Sequence, residues 1–97
     1  MILEVAILDV IPGQEKAFQD AFAMAKSIIG SMQGYIGHQL KRCIEDRSRY
    51  ILLVHWERLE DHTEGFRKSP RYQEWKSLLH HYYDPFPEVQ HYDVVES

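Results

Sequence analysis

Cysteine is nearly absent. Cys43 stands alone among 97 residues, so no intrachain disulfide can form, and the usage suits a reducing, cytoplasmic setting. Long apolar runs are missing too: none approaches the roughly 18–20 residues of a membrane span. The opening MILEVAILDV carries Glu4 and Asp9 and has no basic leader, which excludes a signal-peptide reading. Like charges never cluster beyond pairs such as Lys41-Arg42, and the net charge is −4, so no basic stripe marks a nucleic-acid partner. HxxxH, HExxH and paired-cysteine spacings do not occur, and His80-His81 are adjacent, which on a helix points them about 100° apart. No metal site is expected. No Ser-His-Asp order, glycine-rich phosphate loop or paired-carboxylate motif stands out, and Cys43 beside Arg42 reads as an ordinary strand residue.

What remains is apolar patterning and rings. One domain over residues 1–97 is expected from the length. Ile2–Val10 is β-branched and apolar and stops at Pro12-Gly13, as a strand does. From Glu15 to Met32 the apolar positions Ala17, Phe18, Ala21, Phe22, Ala25, Ile28, Ile29 and Met32 fall at spacings of three and four, which predicts a helix closed by Gly34. Tyr35–Ile44 is a moderately polar strand, Glu45–Ser48 a turn, and Arg49–Glu57 a third strand. Leu59–Lys68 reads as a short helix interrupted by Pro70; Tyr72, Trp75, Leu78, Leu79 and Tyr82 mark another, ended by Asp84-Pro85 and Pro87. Val89–Val95 closes the chain as a fourth strand. The order β-α-β-β-α-β predicts an α+β, ferredoxin-like domain: a four-stranded antiparallel sheet with both helices on one face.

The third strand decides the expected assembly. Tyr50, Ile51, Leu52, Leu53, Val54 and Trp56 leave it no polar face. Such a strand must be covered on both sides. With helices on one side only, the other is expected to meet a second copy of the chain.

Several stretches resemble a known family. His55-Trp56-Glu57, Leu59-Glu60-Asp61-His62, Phe66-Arg67-Lys68-Ser69-Pro70, Tyr72-Gln73-Glu74-Trp75 and His91-Tyr92-Asp93-Val94-Val95 are similar to the antibiotic biosynthesis monooxygenase (ABM) superfamily, as are Pro12-Gly13 and Gly34-Tyr35-Ile36-Gly37. The resemblance covers almost the whole chain. It implies a homodimeric α/β barrel. Some members oxygenate dihydroxy-aromatic or quinol compounds without metal, flavin or haem; others degrade haem, act on signalling molecules or have no known substrate. The expectation is therefore a small cofactor-independent monooxygenase for an aromatic or quinol-like molecule. The alternative is a non-catalytic dimeric module of the same fold that binds a small molecule or serves assembly. The haem-degrading relatives use an asparagine, a tryptophan and a histidine where this chain aligns Ala6, Phe66 and Lys76, so haem degradation is not expected.

Oxygenation without a cofactor needs a dry aromatic pocket, a base for the substrate hydroxyl, and a partner for the resulting anion. Histidine titrates nearest to neutral pH. The chain has six histidines, six tyrosines, four phenylalanines and two tryptophans. If Ile44 and Arg49 close the hairpin around a four-residue loop, His38 stands opposite His55 on one face, with Cβ atoms about 5 Å apart. His55 or His38 is then the expected base, with His62 next. Trp56, Phe66, Tyr72 and Trp75 are expected to line the pocket, and Arg67 or Arg71 to hold an anion. The same rings also read as core or dimer contacts, and the arginines as solvated.

Overall fold

The computed structural model describes residues 1–96; Ser97, the last residue of the predicted domain, lies outside the described residues. Strand β1 (Ile2–Asp9) leads through α1 (Glu15–Gly30) to β2 (Tyr35–Arg42) and β3 (Arg49–Trp56). A π-helical turn (Asp61–Phe66), α2 (Pro70–Leu79) and a 3₁₀ turn (His80–Tyr82) then precede β4 (Val89–Tyr92). The sheet runs β2-β3-β1-β4 with antiparallel neighbours throughout, which is the ferredoxin-like βαββαβ arrangement.

Alternation explains the layering. Tyr50, Leu52, Val54 and Trp56 of β3, with Glu4, Ala6 and Leu8 of β1, point toward the helices and are buried. Phe18, Phe22, Ala25, Ile28 and Ile29 of α1 and Trp75 and Leu79 of α2 meet them. The intervening residues Leu3, Val5, Ile7, Ile51, Leu53 and His55 lie on the other face, which neither helix covers.

Several boundaries differ from the sequence reading: β1 ends at Asp9 and α1 at Gly30, each short of the expected Val10 and Met32. β2 and β3 each stop short, at Arg42 and Trp56. β4 ends at Tyr92 rather than Val95, its pairing with β1 running from Ala6–Val89 to Leu3–Tyr92. Pro70 begins α2 instead of interrupting a helix: it occupies the first turn, and the Ser69 side chain accepts a bond from Tyr72 N. The segment before it is a wide π-turn, closed by Arg67 N–H donating to His62 O at 3.0 Å.

The hairpin register is the correction with functional weight. Cys43 N donates to Arg49 O at 2.8 Å, so five residues, 44–48, form the loop rather than four. Arg47 O accepts from Arg42 Nε at 2.6 Å, and Asp46 Oδ1 accepts from Ser48 N at 3.1 Å, which hold the longer loop. His38 consequently pairs with Val54 and Gly37 with His55, and only beyond Gly37 does a bulge shift the register, setting Tyr35 against Trp56. A one-residue shift moves a side chain to the opposite face. His38 therefore stands on the helix-covered side and His55 on the open side, and they cannot act as a pair.

Candidate active site

A cavity of about 320 Å³ lies between the sheet and the segment from the π-turn to β4. Its floor is sheet: Glu4, Ala6, Leu8, Leu52 and Val89. Its walls are rings: Phe66, Tyr72, Trp75, His80, Tyr83 and Phe86, with Tyr72 and His80 in edge contact at 5.8 Å. Phe66 sits edge-on to both Tyr72 and Trp75, at centroid distances of 5.2 and 5.7 Å. Such arrangements fix ring orientation by complementary quadrupoles. His62 and Arg67, at either end of the π-turn region, complete the wall.

Polar groups concentrate around Glu4. Its side chain is only 7% exposed, yet it is a carboxylate in an apolar strand. Trp56 Nε1 donates to Glu4 Oε1 at 2.9 Å, and His62 Nε2 lies 3.3 Å from the same oxygen. Both contacts fall on Oε1, leaving Oε2 free of protein hydrogen bonds among the described residues. His62 Nδ1 is 2.7 Å from His91 Nε2. The fold makes this cluster: Glu4 and His91 are direct cross-strand partners on the covered face, and His62 comes down over both from the π-turn. Trp56 stacks against His62 at 5.5 Å, with the rings 23° apart.

Burial sets the charges. It raises the Glu4 pKa above the ordinary carboxylate value, with the Trp56 hydrogen bond and the Arg67 charge opposing the rise. It pushes His62 down to about 3, assisted by the Arg67 charge and then by His91. His62 is thus neutral near pH 7, and its contact with Glu4 is a polar contact rather than an ion pair. His91 is lowered by burial and then by Arg67. His80 is lowered by burial and then by Lys76, and its Nδ1 is the one buried side-chain nitrogen or oxygen without a partner among the described residues.

The expected site residues fall into two groups. His62, Phe66, Tyr72, Trp75 and Arg67 come together at the cavity. Trp56 is one layer further in: it is fully buried and reaches the site through its bond to Glu4. His38 accepts or donates at Nδ1 with Tyr35 OH at 2.6 Å and packs against Phe22, away from the cavity. His55 lies in a shallow dip of the open face with Leu3 and Tyr92. Arg71 pairs with Glu74 on the exposed side of α2. Of the positions aligned with the haem-degrading set, Ala6 and Phe66 line the cavity and Lys76 is exposed. Glu4 and His91 are additions. Glu4 was readable in principle, since a carboxylate in phase with Ala6 and Leu8 sits on the buried side of its strand. Among the described residues no three His, Cys, Asp or Glu side chains converge as a metal ion would require. No helix there is long and apolar enough to cross a membrane.

Residues 1–78 match the family model described as antibiotic biosynthesis monooxygenase. The chain belongs to this family. A Bordetella bronchiseptica protein classed with the same monooxygenases is 36% identical, and its crystal structure superposes with a TM-score of 0.93 over 98% of this chain and 97% of that one. The uncharacterised YczJ of Bacillus subtilis strain 168 is 55% identical over 95 residues, covering 98% of this chain and all of YczJ. SnoaB of Streptomyces nogalater, a cofactor-independent oxygenase, shares the fold at a TM-score of 0.86 with 16% identity, over 99% of this chain and 94% of SnoaB. ABM membership and the shared fold place the cavity in context; the chemistry must come from its side chains.

Proposed function

We propose that this ABM protein is a cofactor-independent monooxygenase acting on a hydroxylated, quinol-like aromatic molecule. The observation that carries the reading is the Glu4 carboxylate, held on the floor of an aromatic cavity by Trp56 and beside His62, with Oε2 unclaimed. A raised carboxylate suits a general base working near neutral pH. His62 is the expected histidine nearest the cavity floor, but at about 3 its imidazole is too weak a base, so proton abstraction falls to Glu4. Arg67 is the cation on the cavity wall and suits the phenolate that forms. His80 Nδ1, left without a partner, can bond a second hydroxyl.

The substrate supplies the electrons. Glu4 takes the hydroxyl proton, the phenolate gives one electron to O₂, and the superoxide and phenoxyl radical recombine through a new C–O bond. Cleavage of the O–O bond leaves one oxygen as a carbonyl. The other departs as water, using the proton returned by Glu4 and the hydrogen lost from the oxygenated carbon. Overall, a phenol and O₂ give a quinone and water.

Oxygen uptake on a panel of hydroxyanthraquinones, anthrones and quinols, with no added cofactor, tests the reading. Glu4→Gln keeps the shape and loses the base, and general-base removal costs about 10²–10⁴-fold in kcat. A panel that binds without consuming oxygen would establish instead the binding module of the same fold.

The working unit is a homodimer joined through the open sheet face. Leu3, Val5, Ile7, Ile51 and Leu53 give that face an apolar centre that neither helix covers among the described residues. Sedimentation at micromolar concentration should show a dimer, and Leu53→Glu should yield monomers. A wild-type monomer would refute the assembly.

A further inference from the structure

We propose that His91 is the solvent port for the buried Glu4 proton, and that Glu4, His62 and His91 form a proton relay from the cavity floor to the sheet edge. The inference rests on the reading of Glu4 as the base, and extends it to how that base is armed when ligand fills the cavity.

Geometry carries the relay. His62 has one ring nitrogen 3.3 Å from Glu4 Oε1 and the other 2.7 Å from His91 Nε2, so a single imidazole spans the two strand residues. Imidazole is suited to this, because it can accept at one nitrogen while donating from the other. The longer link is within the range that tightens when a ligand closes a site. β4 is an edge strand, and His91 is only partly buried there, whereas Glu4 and His62 are almost wholly enclosed. Trp56, stacked on His62 with the rings 23° apart, restricts rotation of the imidazole. The other ionisable groups beside the relay are Arg67, whose charge acts on all three members, and Tyr72, which burial and the Glu4 charge raise and the Arg67 charge lowers.

The step balances. At the start Glu4 is neutral with its proton on Oε1, and His62 and His91 each carry theirs on Nδ1. The Oε1 proton passes to His62 Nε2 as the His62 Nδ1 proton passes to His91 Nε2. Glu4 is left as a carboxylate, His62 is neutral with its proton on Nε2, and His91 is an imidazolium. Two bonds to hydrogen break, two form, and the net charge is unchanged until His91 releases its Nδ1 proton to water. The reverse passage reloads Glu4. His62 never becomes a cation, which agrees with its burial.

Two measurements test the relay. The first needs no substrate: nitrogen-15 NMR of the labelled protein. A coupling across the hydrogen bond between His62 Nδ1 and His91 Nε2 is expected, and His62 should switch from the Nδ1–H to the Nε2–H tautomer as Glu4 ionises. Absence of the coupling, or a His62 tautomer that stays fixed while Glu4 titrates, overturns the proposal. The second is kinetic. His91→Ala should lower kcat about tenfold or more with KM unchanged, and added imidazole should restore it. His91→Gln can still hydrogen-bond His62 but cannot carry a proton, so it should be as slow as the alanine variant. Full activity in either variant, or a loss that imidazole leaves untouched, overturns the relay. If the wild-type protein consumes no oxygen with any compound, the oxygenase reading fails by itself, and the NMR result alone decides the relay.

Discussion

Between pH 6.5 and 4.5 the wild-type protein should lose about 2–3 kcal/mol of unfolding free energy that a His62→Phe variant does not lose. The cause is the enclosed imidazole. In the unfolded chain His62 titrates at an ordinary 6.5, whereas in the folded chain it is held to about 3. Below pH 6.5 the unfolded state therefore binds a proton that the native state refuses, and stability falls as pH falls, until the native group also protonates near pH 3. Each unit of that gap is worth about 1.4 kcal/mol. Phenylalanine keeps a ring against Trp56 and has nothing to titrate. Glu4 works the other way. Its folded pKa lies above 4.5, so its contribution is full at low pH and declines as pH rises through the raised value. In His62→Phe the Glu4 slope is no longer set against that of His62, so the variant should lose less stability toward acid pH than wild type. Urea unfolding at fixed protein concentration across this range reads both slopes. His38, His80 and His91, which are also lowered by burial, add a smaller slope common to the two proteins. Parallel curves for wild type and variant would show that His62 is not the enclosed neutral group described above.

This dependence explains which parts of the site were legible in the sequence. Elements follow from apolar patterning, and the continuous apolar run of β3 and the α1 stripe carry theirs openly, so the element order and the one-sided helical layer could be read directly. Ring positions at helical spacing could be read as well: Phe66, Tyr72 and Trp75 do meet at one cavity. Register could not. The His38–His55 pairing depended on a loop of four residues where the Arg42–Arg47 and Asp46–Ser48 bonds hold five, and that single residue sent the two histidines to opposite faces. Histidine spacing along the chain was no guide to the cluster either, because its members are 58, 29 and 87 residues apart and meet only through the β1–β4 pairing and the π-turn. A π-turn has no simple sequence signature, yet its extra residue per turn aims His62 inward. Glu4 left a clue in its phase. His91 left one only once β4 is paired with β1.

Gly34→Ala should cost about 2–5 kcal/mol, and the loss should reach the site through Asp61. Gly34 has φ +84°, in the left-handed region, where an L side chain costs about 1–2 kcal/mol. Conformation is the smaller part of the effect. A methyl group at Gly34 would overlap the Asp61 carboxylate and come within 2.7 Å even of its Cβ. Asp61 is buried, caps Arg58 N–H at 3.1 Å, and opens the π-turn that carries His62. Displacing it strands a buried carboxylate and frees a backbone donor, at a further cost of about 1–3 kcal/mol. The loop between α1 and β2 is also tied to the end of β3, since Glu57 N donates to Gly34 O at 2.8 Å, so retreat of the loop is opposed. Asparagine separates the two contributions. It tolerates the left-handed region better than alanine does, but it brings a larger side chain toward Asp61. If backbone conformation dominated, Gly34→Asn would recover much of the stability. With steric exclusion by Asp61 dominant, Gly34→Asn should be at least as unstable as Gly34→Ala in thermal and urea melts. Both variants should then shift the His62 nitrogen-15 signals, because the turn that aims His62 at Glu4 starts at the displaced carboxylate. Wild-type melting in Gly34→Ala, or rescue by asparagine, would show that the α1–β2 loop does not hold the π-turn in place.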